Sequence, residues 1–459
     1  MVAERMVQFG TSVINRCFVG SWAEEKAAYR LISNKKLRME DMIERIVHAS
    51  ASRCEELSHV LCIQDTSEFR YDSNSGRLSE SDPDLGYGTN KYENFCIYAH
   101  PALIVDADSR MPVGFSSLNI YNHDRAGSRT KSRRKGALML EEKESFRWAE
   151  SAVSASLALP ENVRKTMVGD RENDVYTVMC RTLESGCDFL IRSMHDRKAG
   201  DGLVPLSDYM DSVAPSDEYT LHLPGHKGRR PRTAGMKLKF SKVSIRKSPK
   251  VRGEAPESIE CWCIVAEEDP STVPEGEKPI EWRLLTSHEV ETVEQAVRCV
   301  EWYKCRWFIE ELFRVCKTEG FCAESARLEK GERLKKLLVL TFFVALRSIT
   351  LKRAYDEADE GVPCSRMFAK EEVDVLKVEM DRLHRKSPKS KDGNNPFREE
   401  SLPWAAWIIA RLGGWLAYQK AFGKPGYITM KVGLDRFHSH CDVLFDYWST
   451  MKERDVYKE

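Results

Sequence analysis

The stretch Val60-Leu61-Cys62-Ile63-Gln64-Asp65 decides the fold. Four apolar residues followed by a glutamine and an acid read as a short strand, buried on both faces, that reaches the surface at its end. Working outward, residues 95–106 and 111–121 read as two further strands joined by a turn at Asp106-Ala107-Asp108-Ser109. Residues 141–157 read as a helix. Residues 165–170 form a fourth strand ending at Gly169-Asp170, a helix follows from about Val175, and residues 188–193 form a fifth strand. Three strands, helix, strand, helix, strand is an α/β sheet with mixed strand directions.

The flanks differ in rhythm. Residues 1–58 read as helices. Residues 198–287 hold glycine, proline and β-type segments at 236–246, 259–265 and 282–286, a β-rich insertion. Between Lys227 and Arg252 it carries eleven basic residues, Lys237, Lys239 and Lys242 among them, with no acid between. Residues 288–318 read as one long helix, and the region 288–384 is otherwise helical. A polar stretch at 385–401 reads as a mobile linker, and 402–459 as a last helical unit. The chain has 459 residues, and its 71 Lys+Arg balance its 71 Asp+Glu, so any nucleic-acid footprint must come from local basic stripes. The longest apolar run, 337–346, is too short to span a bilayer, and no secretory signal is visible. The 14 cysteines include no Cys-x2-Cys pair, which argues against zinc and for reduced, buried thiols.

The chemistry gathers around three acids. Asp65 and Asp170 end the first and fourth strands, and carboxylates at neighbouring strand ends converge on one rim of a sheet. On a continuous helix, Tyr303, Arg306, Glu310 and Lys317 fall within about 60° of one another, beside an apolar face of Phe308, Ile309, Leu312, Val315 and Cys316. With Glu310, the two aspartates supply hard oxygen ligands for two divalent cations, the arrangement that activates a water or a 3′-hydroxyl for in-line attack at phosphorus. Each residue also has a plainer reading. Arg306 and Glu310 form an i,i+4 pair on a solvated helix edge, Asp170 caps the helix after it, Trp282 is a strand core residue, and the basic stripe is a solvated loop.

These residues resemble a known family. Ile63-Gln64-Asp65-Thr66-Ser67, Gly169-Asp170-Arg171-Glu172 and Tyr303-x2-Arg306-x3-Glu310-x6-Lys317 are similar to the Tn-five-type bacterial transposases, insertion-sequence family four. The likeness continues in Ala28-Tyr29-Arg30, Glu142-Lys143-Glu144-Ser145-x-Arg147-Trp148, Arg192-Ser193, Trp282-x-Leu284-Leu285-Thr286-Ser287 and Ala410-Arg411-Leu412-Gly413-Gly414. It implies an RNase H-like core with a β-rich insertion between N- and C-terminal helical domains. It also implies a cytoplasmic, nucleoid-associated bacterial enzyme, not membrane-bound, that excises its element by cleavage, hairpin formation and strand transfer. Asp65, Asp170 and Glu310 would be the DDE triad holding Mg2+ or Mn2+, two per site. Tyr303, Arg306, Lys317, Arg192 and Arg30 would contact double-stranded DNA, as would Lys237, Lys239 and Lys242. Trp282 would stack a flipped base, and the helices from Leu402 to Trp448 would pair two subunits. Family members extend further at the N-terminus with a basic DNA-reading helix, whereas Met1 falls within the helix that follows. The resemblance therefore leaves a second role open, a shortened, dimerising inhibitor of transposition.

Overall fold

Two helices, α1 (Trp22–Ser33) and α2 (Met39–Ser52), lead into the quoted run, which is strand β1 (His59–Gln64) of the computed structural model. The structure describes residues 2, 5–6, 11–18, 22–73, 76–88, 94–123, 145–200, 204–223, 232–249, 251, 254–318, 320–386, 394–417 and 423–456. Val60 to Ile63 are fully buried because β1 is covered on both faces. Leu61 and Ile63 enter the main core, while Val60 and Cys62 meet Ala152, Ala155 and Met167 on the other side.

Strands β2 (Ser67–Asp72), β3 (Asn94–Asp106) and β4 (Pro112–Tyr121) follow, then helix α3 (Phe146–Ala158), β5 (Arg164–Gly169), α4 (Tyr176–Glu184) and β6 (Asp188–Arg192). β1 runs antiparallel to β3, with Val60 opposite Asp106 and Gln64 opposite Ala102. On its other edge β1 is parallel to β5, which is parallel to β6. β2 continues along the same edge of β3, with Ser67 opposite Ala99, so the chain breaks only at Asp65-Thr66 between two strands that share one partner. β2 was not foreseen, although the alternation of buried Phe69 and Tyr71 with Glu68 and Arg70 marks it. This mixed sheet, with helices on both faces, is compatible with the expected RNase H-like core.

The β-rich segment extends that same sheet. Its strands β7 (Asp217–Leu223), β8 (Arg232–Arg246), β9 (Ser258–Glu268) and β10 (Glu281–Thr286) are antiparallel neighbours, and β10 pairs with β6 through Leu284 and Arg192. Among the described residues, the result is one thirteen-stranded sheet, three two-residue strands included.

The segment expected as one helix at 288–318 is two, α5 (Val293–Lys304) and α6 (Trp307–Lys317). A capping box at Thr292 and Gln295 starts α5. At the junction the amides of Cys305, Arg306, Phe308 and Ile309 bond carbonyls three residues back, a tighter winding that rotates later side chains ahead of the α-helical count. The arc drawn through Tyr303, Arg306, Glu310 and Lys317 on a continuous helix is corrected accordingly.

The last helices are α7 (Gly331–Glu357), α8 (Lys370–Lys386), α9 (Leu402–Leu412) and α10 (Tyr427–Val456). Ten of the eleven residues of α9 are buried, so no face of it is left over. Trp404, Trp407, Ile408, Leu412 and Trp415 belong to the same core cluster as α7, whose long apolar surface covers them. The small unit from Leu402 does not bury these residues by itself; α7, from outside it, supplies the cover. Residues 387–393 of the expected linker lie outside the described residues. A Cβ on Gly433 of α10 would lie 1.8 Å from the backbone oxygen of Ile409 on α9, so the two helices touch through backbone. Gly433→Ala forces them apart and costs roughly 1–3 kcal/mol, read as a lower denaturation midpoint; an unchanged midpoint contradicts this contact.

Candidate active site

The parallel register of β1 and β5, His59 opposite Arg164 through Ile63 opposite Val168, carries on two residues to set Asp65 beside Asp170. Neighbouring strands lie about 4.8 Å apart, so the two carboxylates leave the same rim side by side. Each is steadied by the turn that follows it. Thr66 N–H donates to Asp65 Oδ1 at 2.7 Å, and Glu172 N–H donates to Asp170 Oδ1 at 2.9 Å. Asp170 thus does cap the turn Arg171–Asn173, and that leaves its Oδ2 for other work. The turn folds back so closely that a Cβ on Gly169 would lie 2.3 Å from Asn173 Nδ2, which is why glycine precedes the aspartate.

Glu310, in the first turn of α6, faces this pair across Arg306. Arg306 donates from one terminal nitrogen to Glu310 Oε1, and its other stands 3.8 Å from Asp65 Oδ2. The expected i,i+4 pair therefore exists, and the same guanidinium reaches across to β1. Burial pushes the Asp65 carboxyl up to about 7, and the negative charges of Asp170 and Glu310 add to the rise; the Thr66 amide and Arg306 oppose it. The three acids thus sense one another through space. As they stand, no three His, Cys, Asp or Glu side chains among the described residues are gathered closely enough to share one ion, because Glu310 is turned onto Arg306. The donor set is nonetheless right for a hard divalent cation: carboxylates only, partly buried, and mutually repelling.

Beside the acids lies a group of guanidiniums. Burial lowers the pKa of Arg192, and neighbouring Arg171 and Arg306 lower it further, while Tyr303 opposes them. Arg192 also donates to the Glu281 carbonyl at 2.8 Å, fixing it to β10. Tyr303 is buried, with the half-buried Trp282 ring edge-on to it at 5.8 Å. So Asp65, Asp170, Glu310, Arg306, Tyr303, Arg192 and Trp282 come together. Lys317 is further along α6, where it donates to the Glu68 carbonyl of β2 and lies over the Phe69 ring. Arg30 is exposed in the last turn of α1.

The basic stripe is divided. Strand alternation puts Lys237 and Lys239 on one face of β8 and Lys242 on the other. Lys237 is paired with Asp269 at 2.9 Å, and Arg232 with Glu268. Lys227, Arg229, Arg230, Lys250 and Arg252 lie outside the described residues. Three further groups at the site carry no acid-triad signal in the sequence: Arg147, Thr66 and His100. Arg147 and Thr66 appear there only as landmarks of resemblance.

Residues 149–347 match the family model described as "Transposase DDE domain". The match includes Asp170 and Glu310, and Asp65 lies upstream of it. It supports a transposase of the DDE type, hence a nuclease-like enzyme with DNA substrates. Among the described residues, no helix is long and apolar enough to cross a membrane.

The Asp65 shift has a consequence for stability. In an unfolded chain this carboxyl titrates near 3.9, and in the fold at about 7. Folding therefore takes up a proton between those values, and stability falls as pH rises through that window, by up to about 4 kcal/mol. Asp65→Asn removes the penalty. In metal-free buffer it raises the unfolding temperature at pH 8 and changes it little at pH 4; a variant less stable than its parent at pH 8 contradicts the shift.

Proposed function

We propose that this chain is a DNA transposase that cuts and rejoins phosphodiester bonds at the ends of its element, with Asp65, Asp170 and Glu310 holding Mg2+ or Mn2+. The observation that carries the reading is the pairing register that sets Asp65 beside Asp170, with Glu310 joined to them by one arginine. When bound, two divalent ions would supply Lewis acidity at the scissile phosphate and a nucleophile at neutral pH. The rest falls to the chain. Asp65 and Asp170 keep their orientation through the Thr66 and Glu172 amides. Arg306 partly neutralises Glu310 and Asp65, and its guanidinium would be placed to meet a phosphate at the same site.

The crowded guanidiniums support a phosphate partner. Burial, Arg171 and Arg306 together lower the basicity of Arg192, and an anion held against Arg192 would relieve that repulsion. Tyr303 adds a phenol at the same place. Trp282, half-buried beside it, offers an aromatic face to a base turned out of the duplex, which offsets part of the unstacking cost of a hairpin. Lys317, Arg30, Lys237, Lys239 and Lys242 would add backbone contacts whose strength falls with salt. Lys239 and Lys242 reach different faces of the sheet, so they would meet different parts of the DNA.

A homodimer on paired ends fits the outer helix better than α9. Ile428, Val443 and Tyr447 of α10 are each more than half exposed and apolar. The route would be cut-and-paste: hydrolysis, hairpin formation, strand transfer. The domain reading keeps the helical ends at 1–58 and 402–459 around a core at 59–197 and 288–384, with the β-rich segment 198–287 inserted and 385–401 as the linker.

The test is Mg2+-dependent cutting of duplexes carrying the element's own ends. Glu310→Ala abolishes cutting and leaves DNA binding largely intact; retained cutting refutes the triad, and a parent that binds and dimerises but never cuts favours an inhibitory role. Trp282→Ala slows the hairpin step more than the first nick, and equal slowing of both argues against stacking.

A further inference from the structure

Arg147, in the first turn of α3, reaches both of the turns that hold the aspartates. Its Nε donates to Thr66 Oγ1 at 2.8 Å, and a terminal nitrogen stands 3.5 Å from Glu172 Oε2. Thr66 and Glu172 are the residues whose amides fix Asp65 and Asp170. The Arg147 side chain is only 10% exposed, so its place is set by packing.

The hydroxyl end of this contact is directional. Thr66 Oγ1 receives the Arg147 N–H and lies 2.8 Å from His100 Nδ1. The Gln64 side-chain oxygen, 3.3 Å from His100 Nε2, can only accept, which puts the ring proton on Nε2 and leaves Nδ1 bare to accept from the Thr66 hydroxyl. His100 is fully buried on β3, with the Trp148 ring edge-on at 4.7 Å. Arg147, Thr66, His100 and Gln64 form a single chain of bonds running from α3 to β3 and back to the last residue of β1. It crosses the break between β1 and β2, where no strand pairing holds Thr66.

We infer that Arg147 is a positioning residue: through Thr66 and Glu172 it sets the spacing of Asp65 and Asp170, and so the affinity of the site for divalent ions. This rests on the metal-dependent reading above. The Thr66 arm carries most of the effect, because Glu172 is largely exposed and its ion pair is screened. Groups that orient metal ligands from behind typically change metal affinity or activity by about 10–100-fold when removed.

The test is Mn2+ binding by calorimetry on the full chain, without DNA or turnover. Arg147→Gln and Thr66→Val each weaken binding on the order of 10–100-fold, Thr66→Ser binds like the parent, and the double variant is no weaker than the worse single one. Thr66→Val keeps the volume of the side chain, so it tests the same link should Arg147→Gln unfold. Arg147→Gln and Thr66→Val that lower thermal stability but keep the parent's Mn2+ affinity make Arg147 merely structural and overturn the inference. Asp65→Asn binding Mn2+ like the parent overturns the metal reading beneath it. Loss of binding in Asp65→Asn, with Arg147→Gln and Thr66→Val unaffected, overturns the positioning role alone.

Discussion

The parallel pairing of β1 with β5 is the constraint on which the rest depends. Side chains on a strand alternate, so a slip of one residue in that register would turn Asp65 or Asp170 away from the rim. The register is held by burial. Val60 to Ile63 and Met167 and Val168 are sealed on both faces, and any slip would exchange residues fitted to two different cores. The helices α5 and α6 then carry Glu310 and Arg306 over the same rim. The constellation proposed as catalytic, drawn from distant parts of the chain, thus owes its position to strand pairing and core packing.

At that rim the acids and the guanidiniums oppose each other. Three carboxylates share a partly buried place, and Asp65 responds by holding its proton up to about pH 7. Arg306 offsets part of the repulsion by spanning Glu310 and Asp65. Arg306 and Arg171 in turn crowd Arg192. Both kinds of strain would be relieved by the proposed ligand pair, a divalent cation against the acids and a phosphate against the arginines. Such complementarity is the pattern expected where charge must be handled at a scissile phosphodiester.

Much of this was legible in the sequence, for identifiable reasons. β1, β3, β4, β5 and β6 are apolar runs with clear ends, and Asp65 and Asp170 terminate two of them. The break at Cys305-Arg306 was not legible, because both flanks have helical spacing and no proline or glycine marks the joint. β2 was hidden by its charged residues, Glu68 and Arg70, although its period is that of a strand. What covers Trp404, Trp407 and Trp415 was not legible, because α7, which supplies that surface, lies far upstream. Arg147 was invisible as a functional group, since its link to Asp65 passes through Thr66 in three dimensions. The basic stripe looked uniform because cross-strand acids such as Asp269 and Glu268 are remote in sequence.

The most direct measurement is anomalous diffraction from crystals of the full chain grown with Mn2+ and a duplex bearing an element end. The account predicts two anomalous peaks about 4 Å apart at the β1–β5 rim, bounded by Asp65, Asp170 and Glu310, with Glu310 released from Arg306. Peaks elsewhere, or Mn2+ bound while Glu310 stays on Arg306, would contradict it.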